Sequence, residues 1–415
     1  MMRTITQTLL LATGITTAAQ AQNVVLDSVS IGTTNVAYYS LANDEQDNIV
    51  NNTWDIAFEV TPGASSAIRI NGQAGVELYE YPLGDTADWA TVDITDIANW
   101  PMAYDSDQSW GAGAFSFFAT ESDFDLGWGT YSMVTHTVVG DRIFVIKKVD
   151  GTYGKVWIKS LASGTYTFRY ASLDNATDET STIIKANYPE KNFVYFSLVT
   201  EEALDREPAT TTWDLQFSKY IGDLGGGTWY GVSGILSNKG VYVAEAAGVD
   251  VETAVHTDFE ADSFNISVIG SDWKAYDFPT NSYLITEDLS FFVADKAGDI
   301  WQVIPTGFVG GASGKFYFTK ELLTAVGVEN ADAEVKMVVY PNPATDGQTT
   351  LVYNQKTALA TAQLYDMSGR EVANHSFAGQ GFQQRTLSLD GLHAGIYMLR
   401  LQDGAAVSTS KIIVR

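Results

Sequence analysis

The sequence predicts an all-β protein, with two related β domains in tandem and a third, smaller β-sandwich behind them. Three observations predict it. Trp54, Ile56 and Phe58 alternate with Asp55 and Ala57, and Trp213, Leu215 and Phe217 repeat the pattern; a period of two gives a strand one apolar face, with the tryptophan turned to the core. Four segments recur in the same order in the two halves of the chain, as a duplication would leave them. Helix signals are confined to a turn or two after Trp89 and after Phe318, the second behind a threonine cap. A length of 415 residues fits about three domains.

Residues 1–21 read as a signal peptide. Arg3 precedes the apolar stretch Leu9 to Ala21, which closes in Ala19-Gln20-Ala21, a small-x-small cleavage site before Gln22. The stretch is too short to span a bilayer, and no transmembrane segment is expected elsewhere. The chain has no cysteine, so neither a lipid anchor at the mature start nor a disulfide is available, and buried cores must supply the stability.

The two copies are read as residues 22–185 and 186–327. "NVAYYSLANDEQDNIVNNTWDIAFEV" from Asn35 aligns with "NFVYFSLVTEEALDREPATTTWDLQFSKY" from Asn192. A Gly/Asn turn and strand follow, from Ile68 and from Ile235, and "DRIFVIKKVDGTYGKVWIKSL" from Asp141 matches "DLSFFVADKAGDIWQVIPTGF" from Asp288. That last offset sets Tyr283 opposite His136. Asp150-Gly151 allows the positive φ of a two-residue hairpin turn. Gly222 to Gly227, Gly310 and Gly311 mark sharp loops or close approaches.

Between leader and tail, residues 22–334 carry 16 Lys and Arg against 45 Asp and Glu, a net of −29. Such a field repels nucleic acid and anionic membrane surfaces. No enzyme signature is complete. His-Glu-x-x-His is missing, Gly231-Val232-Ser233-Gly234 and Gly311-Ala312-Ser313-Gly314 stop short of Gly-x-Ser-x-Gly, and Phe316 stands where a phosphate loop needs Ser or Thr. The acid pairs Asp105 with Asp107 and Asp123 with Asp125 follow from composition alone. A non-catalytic protein without a metal site is therefore expected.

"VYFSL" followed by "WDLQF", the Asn/Gly strand and a late hairpin ending in "TYTFRY" at Thr165 to Tyr170 resembles the HmuY family of secreted Bacteroidetes proteins, whose founding members are all-β haem-binding proteins in a single-unit format. The resemblance implies two tandem HmuY-like domains and a haem, free or on a host haemoprotein, as the ligand. His136 is then the first axial donor, with Met133 or Met102 as the thioether partner. The second copy lacks methionine, and His256 lies in an acidic loop. A second reading, a module binding glycans or protein, rests on aromatics in loop-like contexts: Trp89, Trp100, Trp110, Trp128, Trp229 and Trp273. About two thirds of these are expected to fill cores and the joint between copies instead.

After a linker at residues 328–334, residues 335–415 carry "YPNP" at Tyr340 to Pro343, "LYDMSGREV" from Leu364, "LSLDGLHAGIYMLRL" from Leu387 and "KIIVR" at Lys411 to Arg415. In this order they resemble the C-terminal sorting domain of type IX secretion cargo from Bacteroidetes. The resemblance implies passage through the periplasm to the outer-membrane surface or the medium, with the type IX machinery as partner. It implies a sorting signal built on Tyr340, Pro341, Asn342, Pro343, Gly369, Gly395, Tyr397, Lys411 and Arg415.

Overall fold

The computed structural model describes residues 24–324 and 337–415, apart from 64, 121, 123, 226, 263, 345–346, 367–369 and 405. The expected signal peptide and linker lie outside the described residues. The chain divides into a body, up to Val326, and a tail from Gly327. Both are all-β: antiparallel sheets account for the regular structure, and the helical pieces are short 3-10 segments such as Thr86–Thr91 and Ile97–Asn99. Among the described residues no helix is long and apolar enough to cross a membrane.

The body holds two β-sandwich units, and each is completed by strands from the other sequence copy. In the first unit, the sheet Asp178–Ile184, Thr165–Ser172, Tyr153–Ala162, Phe144–Lys147, Glu77–Glu80 and Met102–Ala103 faces the sheet Glu202–Leu204, Phe193–Ser197, Ile56–Glu59 and Ile68–Ile70. Phe58, Phe144, Phe168, Val194 and Phe196 share its core. In the second, Val25–Ser30, Lys315–Thr324, Ile300–Val309, Leu289–Ala294 and Tyr242–Ala247 face Trp229–Ser237, Leu215–Asp223, Asn35–Ser40 and Asp44–Val50. Its core joins Ala37, Tyr39, Phe217, Phe291, Phe316 and Phe318.

The sheets therefore change between Val50 and Ile56 and again between Leu204 and Leu215, whereas the sequence copies divide at 185/186. The aromatic strand Phe193–Ser197 pairs with Ile56–Glu59, with Phe193 opposite Glu59. Its counterpart Asn35–Ser40 pairs with Leu215–Asp223, with Tyr39 opposite Leu215. The first three strands of the first copy and the first two of the second thus complete the sandwich built by the rest of the other. Lys320, buried in the last body strand, donates to the Leu41 carbonyl at 2.8 Å and pairs with Asp44 at 2.5 Å, tying the first strands to the last.

The Trp-Asp-x-x-Phe motifs hold this exchange. Asp55 accepts from the amides of Leu198 at 2.7 Å and Val149 at 2.8 Å. Asp214 repeats the pattern on Leu41 at 2.8 Å and Lys296 at 3.0 Å. Each carboxylate joins the exchanged strand of one copy to the late hairpin of the other. Both are buried rather than on a polar strand face, and burial pushes both carboxyls up, opposed by those same amides. Asn71 donates to the carbonyl of Trp54 at 3.0 Å and Asn238 to that of Trp213 at 2.7 Å, fixing the approach to each motif. Because the strands begin only at Ile56 and Leu215, the tryptophans escape the period of two. Instead of entering the sandwich cores they pack edge-on against the exchanged tyrosines, Trp54 on Tyr195 at 4.8 Å and Trp213 on Tyr38 at 5.0 Å.

Two local expectations change. The turn expected after Phe318 is part of strand Lys315–Thr324, which pairs on both sides. The inward alternation of Phe316, Phe318 and Lys320 outweighs the helix propensity of Glu321-Leu322-Leu323. The Asp150-Gly151 hairpin closes as a longer loop, with Lys148 donating to the Thr152 carbonyl and Gly151 at φ +82°. Asp295 to Asp299, with Gly298 at φ +91°, repeats it.

In the tail, Met337–Tyr340, Gln348–Gln355 and Gly381–Ser388 form one sheet, and Glu371–Ala378, Leu359–Asp366, Gly395–Asp403 and Ala406–Val414 the other. They enclose Leu351, Tyr353, Leu364, Leu387, Leu399, Leu401 and Ile412, the β-sandwich expected.

The exchange predicts which fragments fold. A protein of residues 51–208 holds both sheets of the first unit and should unfold cooperatively on heating. Residues 22–185 lack the strand Phe193–Ser197 and should not, as circular dichroism melts of the two will show.

Candidate binding cleft and sorting surface

The exchanged strands leave a cleft of about 290 Å³ in the joint between the two body units. Tyr38 and Tyr195, one from each exchanged strand, line it, and their hydroxyls meet at 3.4 Å. Trp54 stands against Tyr195. Much of the remaining lining comes from the stretch Arg69 to Glu77 and from Met102, Tyr104, Asp105, Asp107 and Trp110 in the first unit, and from Gln216, Lys219, Tyr220, Ile221 and Trp229 in the second.

Arg69 organises one wall. Its guanidinium donates to the carbonyls of Ser109 and Ser106, both at 2.8 Å, lies 3.7 Å from Asp105 and stands 5.2 Å from the centre of the Trp110 ring. Trp110 in turn donates its indole N–H to the Ser237 carbonyl of the other unit at 2.8 Å. Asp105 accepts from the amides of Ala114 at 2.7 Å and Ile70 at 3.2 Å; burial pushes its carboxyl up, and Arg69 opposes this. Asp107 accepts from the Asp223 amide of the second unit at 3.1 Å. Tyr104 and Trp229, one from each unit, stack face to face with centroids 4.3 Å apart and planes within 4°.

Glu207 lies behind Tyr195. Its carboxylate takes the Tyr195 hydroxyl at 3.0 Å and the Asn192 amide at 2.5 Å, so a chain of hydrogen bonds runs from Tyr38 through Tyr195 to a buried acid. Burial pushes the Glu207 carboxyl up to about 7, against the pull of these donors. The folded state then holds this proton more tightly than the unfolded chain, so its contribution is complete below the ordinary carboxyl value and is lost as pH rises through about 7. Unfolding free energy should fall by about 3 kcal/mol between pH 4.5 and 8 on this account. Glu207→Gln should flatten that part of the slope in denaturant titrations; an unchanged slope would place the dependence elsewhere.

The three expected haem donors are not brought together. Met102 lines the cleft. Met133 and His136 lie in the exposed connection between Gly129–Ser132 and Thr137–Gly140, and neither lines the cleft. His136 sits at φ +53° and its Nδ1 meets the Tyr131 hydroxyl at 2.9 Å. The second copy repeats this turn between Lys274–Asp277 and Ser282–Ile285, with Asn281 at φ +53° taking the Tyr276 hydroxyl. The counterpart of His136 is therefore Asn281, two residues before Tyr283, and in both copies the residue closes a turn. Met133 and His136 share the exposed connection, apart from Met102 in the cleft.

Of the six loop tryptophans, Trp89, Trp100, Trp128 and Trp273 are buried, while Trp110 and Trp229 line the cleft. Of the acid pairs, Asp105 and Asp107 face the cleft; Asp125 pairs with Arg142 at 2.8 Å, and Asp123 lies outside the described residues. Among the described residues no cluster of His, Cys, Asp and Glu could hold a metal. Tyr104, Arg69 and Glu207 went unnoticed in the sequence: the stacking partner of Tyr104 comes from the other copy, and the partners of Arg69 and Glu207, although in their own copies, lie too far along the chain for a local pattern to mark them.

The tail gathers its signatures at one end of the chain. Asn342 donates from its amide to the Lys411 carbonyl at 2.7 Å and accepts from the Ile413 amide at 2.9 Å, while Ala344 pairs with Val414. The Tyr-Pro-Asn-Pro turn is thereby stitched to the Lys411 to Arg415 strand, whose two basic ends are exposed. Pro341 accepts at its carbonyl from the Thr349 hydroxyl, and Pro343 precedes the bridged Ala344. Tyr340 is half exposed, with its hydroxyl against Gln384 at 3.2 Å. Gly395 opens a strand in which Tyr397 donates to the His393 carbonyl at 2.9 Å; Gly369 lies outside the described residues.

Residues 338–415 match the model of the secretion system C-terminal sorting domain. The protein thus carries a type IX sorting domain and is exported to the cell surface or the extracellular space. No curated protein matches the chain. Among solved structures, a trimeric ectodomain of the C. elegans fusion protein EFF-1 aligns at 7% identity and a TM-score of 0.17, covering 94% of each chain. The BSP domain of a biofilm associated protein aligns at 10% identity and a TM-score of 0.15, over 95% of this chain and 81% of its own. Scores this low assign no fold. Removing Lys411 to Arg415 should leave cargo in the periplasm, and Asn342→Ala, which unstitches the same strand, should weaken the tail by about 1 kcal/mol and reduce export. Cell fractionation reads both.

Proposed function

We propose that this exported protein is a non-catalytic surface receptor that binds a neutral saccharide in the cleft between its two units. The observation that carries the reading is the composition of that cleft: Trp54, Trp110 and Trp229 with Tyr38, Tyr104 and Tyr195, set among Asn, Gln and carboxylate side chains. Flat aromatic faces pack against the C–H faces of sugar rings, while amides and carboxylates take their hydroxyls. Among the charged side chains of the lining the carboxylates Glu77, Asp105 and Asp107 outnumber the cations Arg69 and Lys219, which disfavours anionic ligands. The volume lies near the lower end of the usual range for small-molecule sites, about 300–1,000 Å³. Asp105 and Asp107 accept backbone amides, which suits support of the walls rather than proton transfer.

A glycan array on the mature protein should return neutral saccharides. Trp110→Ala should weaken the hits by about tenfold or more in calorimetry, with His136→Ala unchanged. Haemin titration supplies the alternative outcome: a saturable Soret band at one equivalent, lost in Met102→Ala, would replace the saccharide reading with haem.

A further inference from the structure

We infer that the site continues beyond the cleft into a second cavity, so that the ligand is an oligosaccharide chain rather than a single sugar. The inference rests on the saccharide reading and extends it. A cavity of about 220 Å³ adjoins the cleft, and Tyr104, Asp107 and Trp229 line both. The stacked Tyr104 and Trp229 rings are therefore a shared partition. Stacking consumes one face of each ring and leaves each an outer face. Phe117, 43% exposed, lines the second cavity and stands edge-on to both rings, at 6.0 Å from Tyr104 and 6.2 Å from Trp229.

The polar groups match the same use. Asp107 spends one carboxylate oxygen on the Asp223 amide, and Asp223 one on the Gly225 amide, and each carboxylate retains a second oxygen with which to accept a hydroxyl. Both acids line the second cavity, so it shares with the cleft aromatic surface beside carboxylate acceptors, and among the described residues its lining has no cationic side chain, where the cleft has Arg69 and Lys219. Two such sites meeting at one aromatic partition suit successive rings of a neutral chain. A single ring fills only one of them.

The test is a chain-length series on the full mature protein, using malto-, cello-, xylo-, manno- and chito-oligosaccharides of one to six rings. In at least one series affinity should rise about tenfold or more as rings are added beyond the first. Gln108→Trp, an exposed position lining only the second cavity, should abolish that increment and leave the monosaccharide unchanged. Trp229→Ala should weaken every length, and its melting temperature checks that it is folded. Equal affinity for one ring and for many, or an increment untouched by Gln108→Trp, overturns the extension while the saccharide reading stands. Failure of every series at every length overturns both.

Discussion

Asp55 and Asp214 hold the body together, because each buried carboxylate accepts one amide from an exchanged strand and one from the late hairpin of the other copy. A buried acceptor that satisfies two backbone donors is costly to lose, since the amides left behind have no water to turn to. These contacts fix the strands Asn35–Ser40 and Phe193–Ser197 in sandwiches built mainly by the other copy. Two duplicated segments that could have folded side by side are thereby interlocked. The first strands of the chain close the last sheet, and Lys320 seals that closure at Leu41 and Asp44.

The cleft is a by-product of the exchange. Tyr38 and Tyr195 reach it only because their strands have crossed, and the edge-on tryptophans hold them there. The pseudo-symmetry stops at that line. Glu207 stands behind Tyr195, and the Asn51 side chain accepts from Trp54 while the Trp213 indole N–H has no hydrogen-bond partner among the described residues. Symmetric strands thus frame an asymmetric site, where Arg69 and Trp110 come from one unit and Trp229 from the other. On the saccharide reading proposed above, that asymmetry gives the bound chain a direction.

The fold class, the tail and the order of the duplicated segments were legible in the sequence because each rests on local information: alternation, turn residues and short strings in fixed order. The late hairpins were legible for the same reason, down to matching glycines at 151 and 298. Which sheet each aromatic strand joins was not legible, since Asn35–Ser40 and Phe193–Ser197 carry nearly the same aromatic pattern and nothing in their own residues distinguishes one sandwich from the other. The site suffered accordingly. Trp110 and Trp229 were visible as loop aromatics, but Tyr104 gains its meaning only from Trp229 across the joint. His136, prominent by chemistry, closes a turn that Asn281 closes equally well.

Native-state hydrogen exchange followed amide by amide tests the interlocking most directly, because strands that belong to one sandwich must open together. Asn35–Ser40 should share its opening free energy with Leu215–Asp223 and Lys315–Thr324, and Phe193–Ser197 with Ile56–Glu59. Asp214→Ala should loosen the first group, Leu41 included, before the second. If Asn35–Ser40 instead opened with Ile56–Glu59, each copy would hold its own strands, and the exchange on which the cleft depends would be wrong.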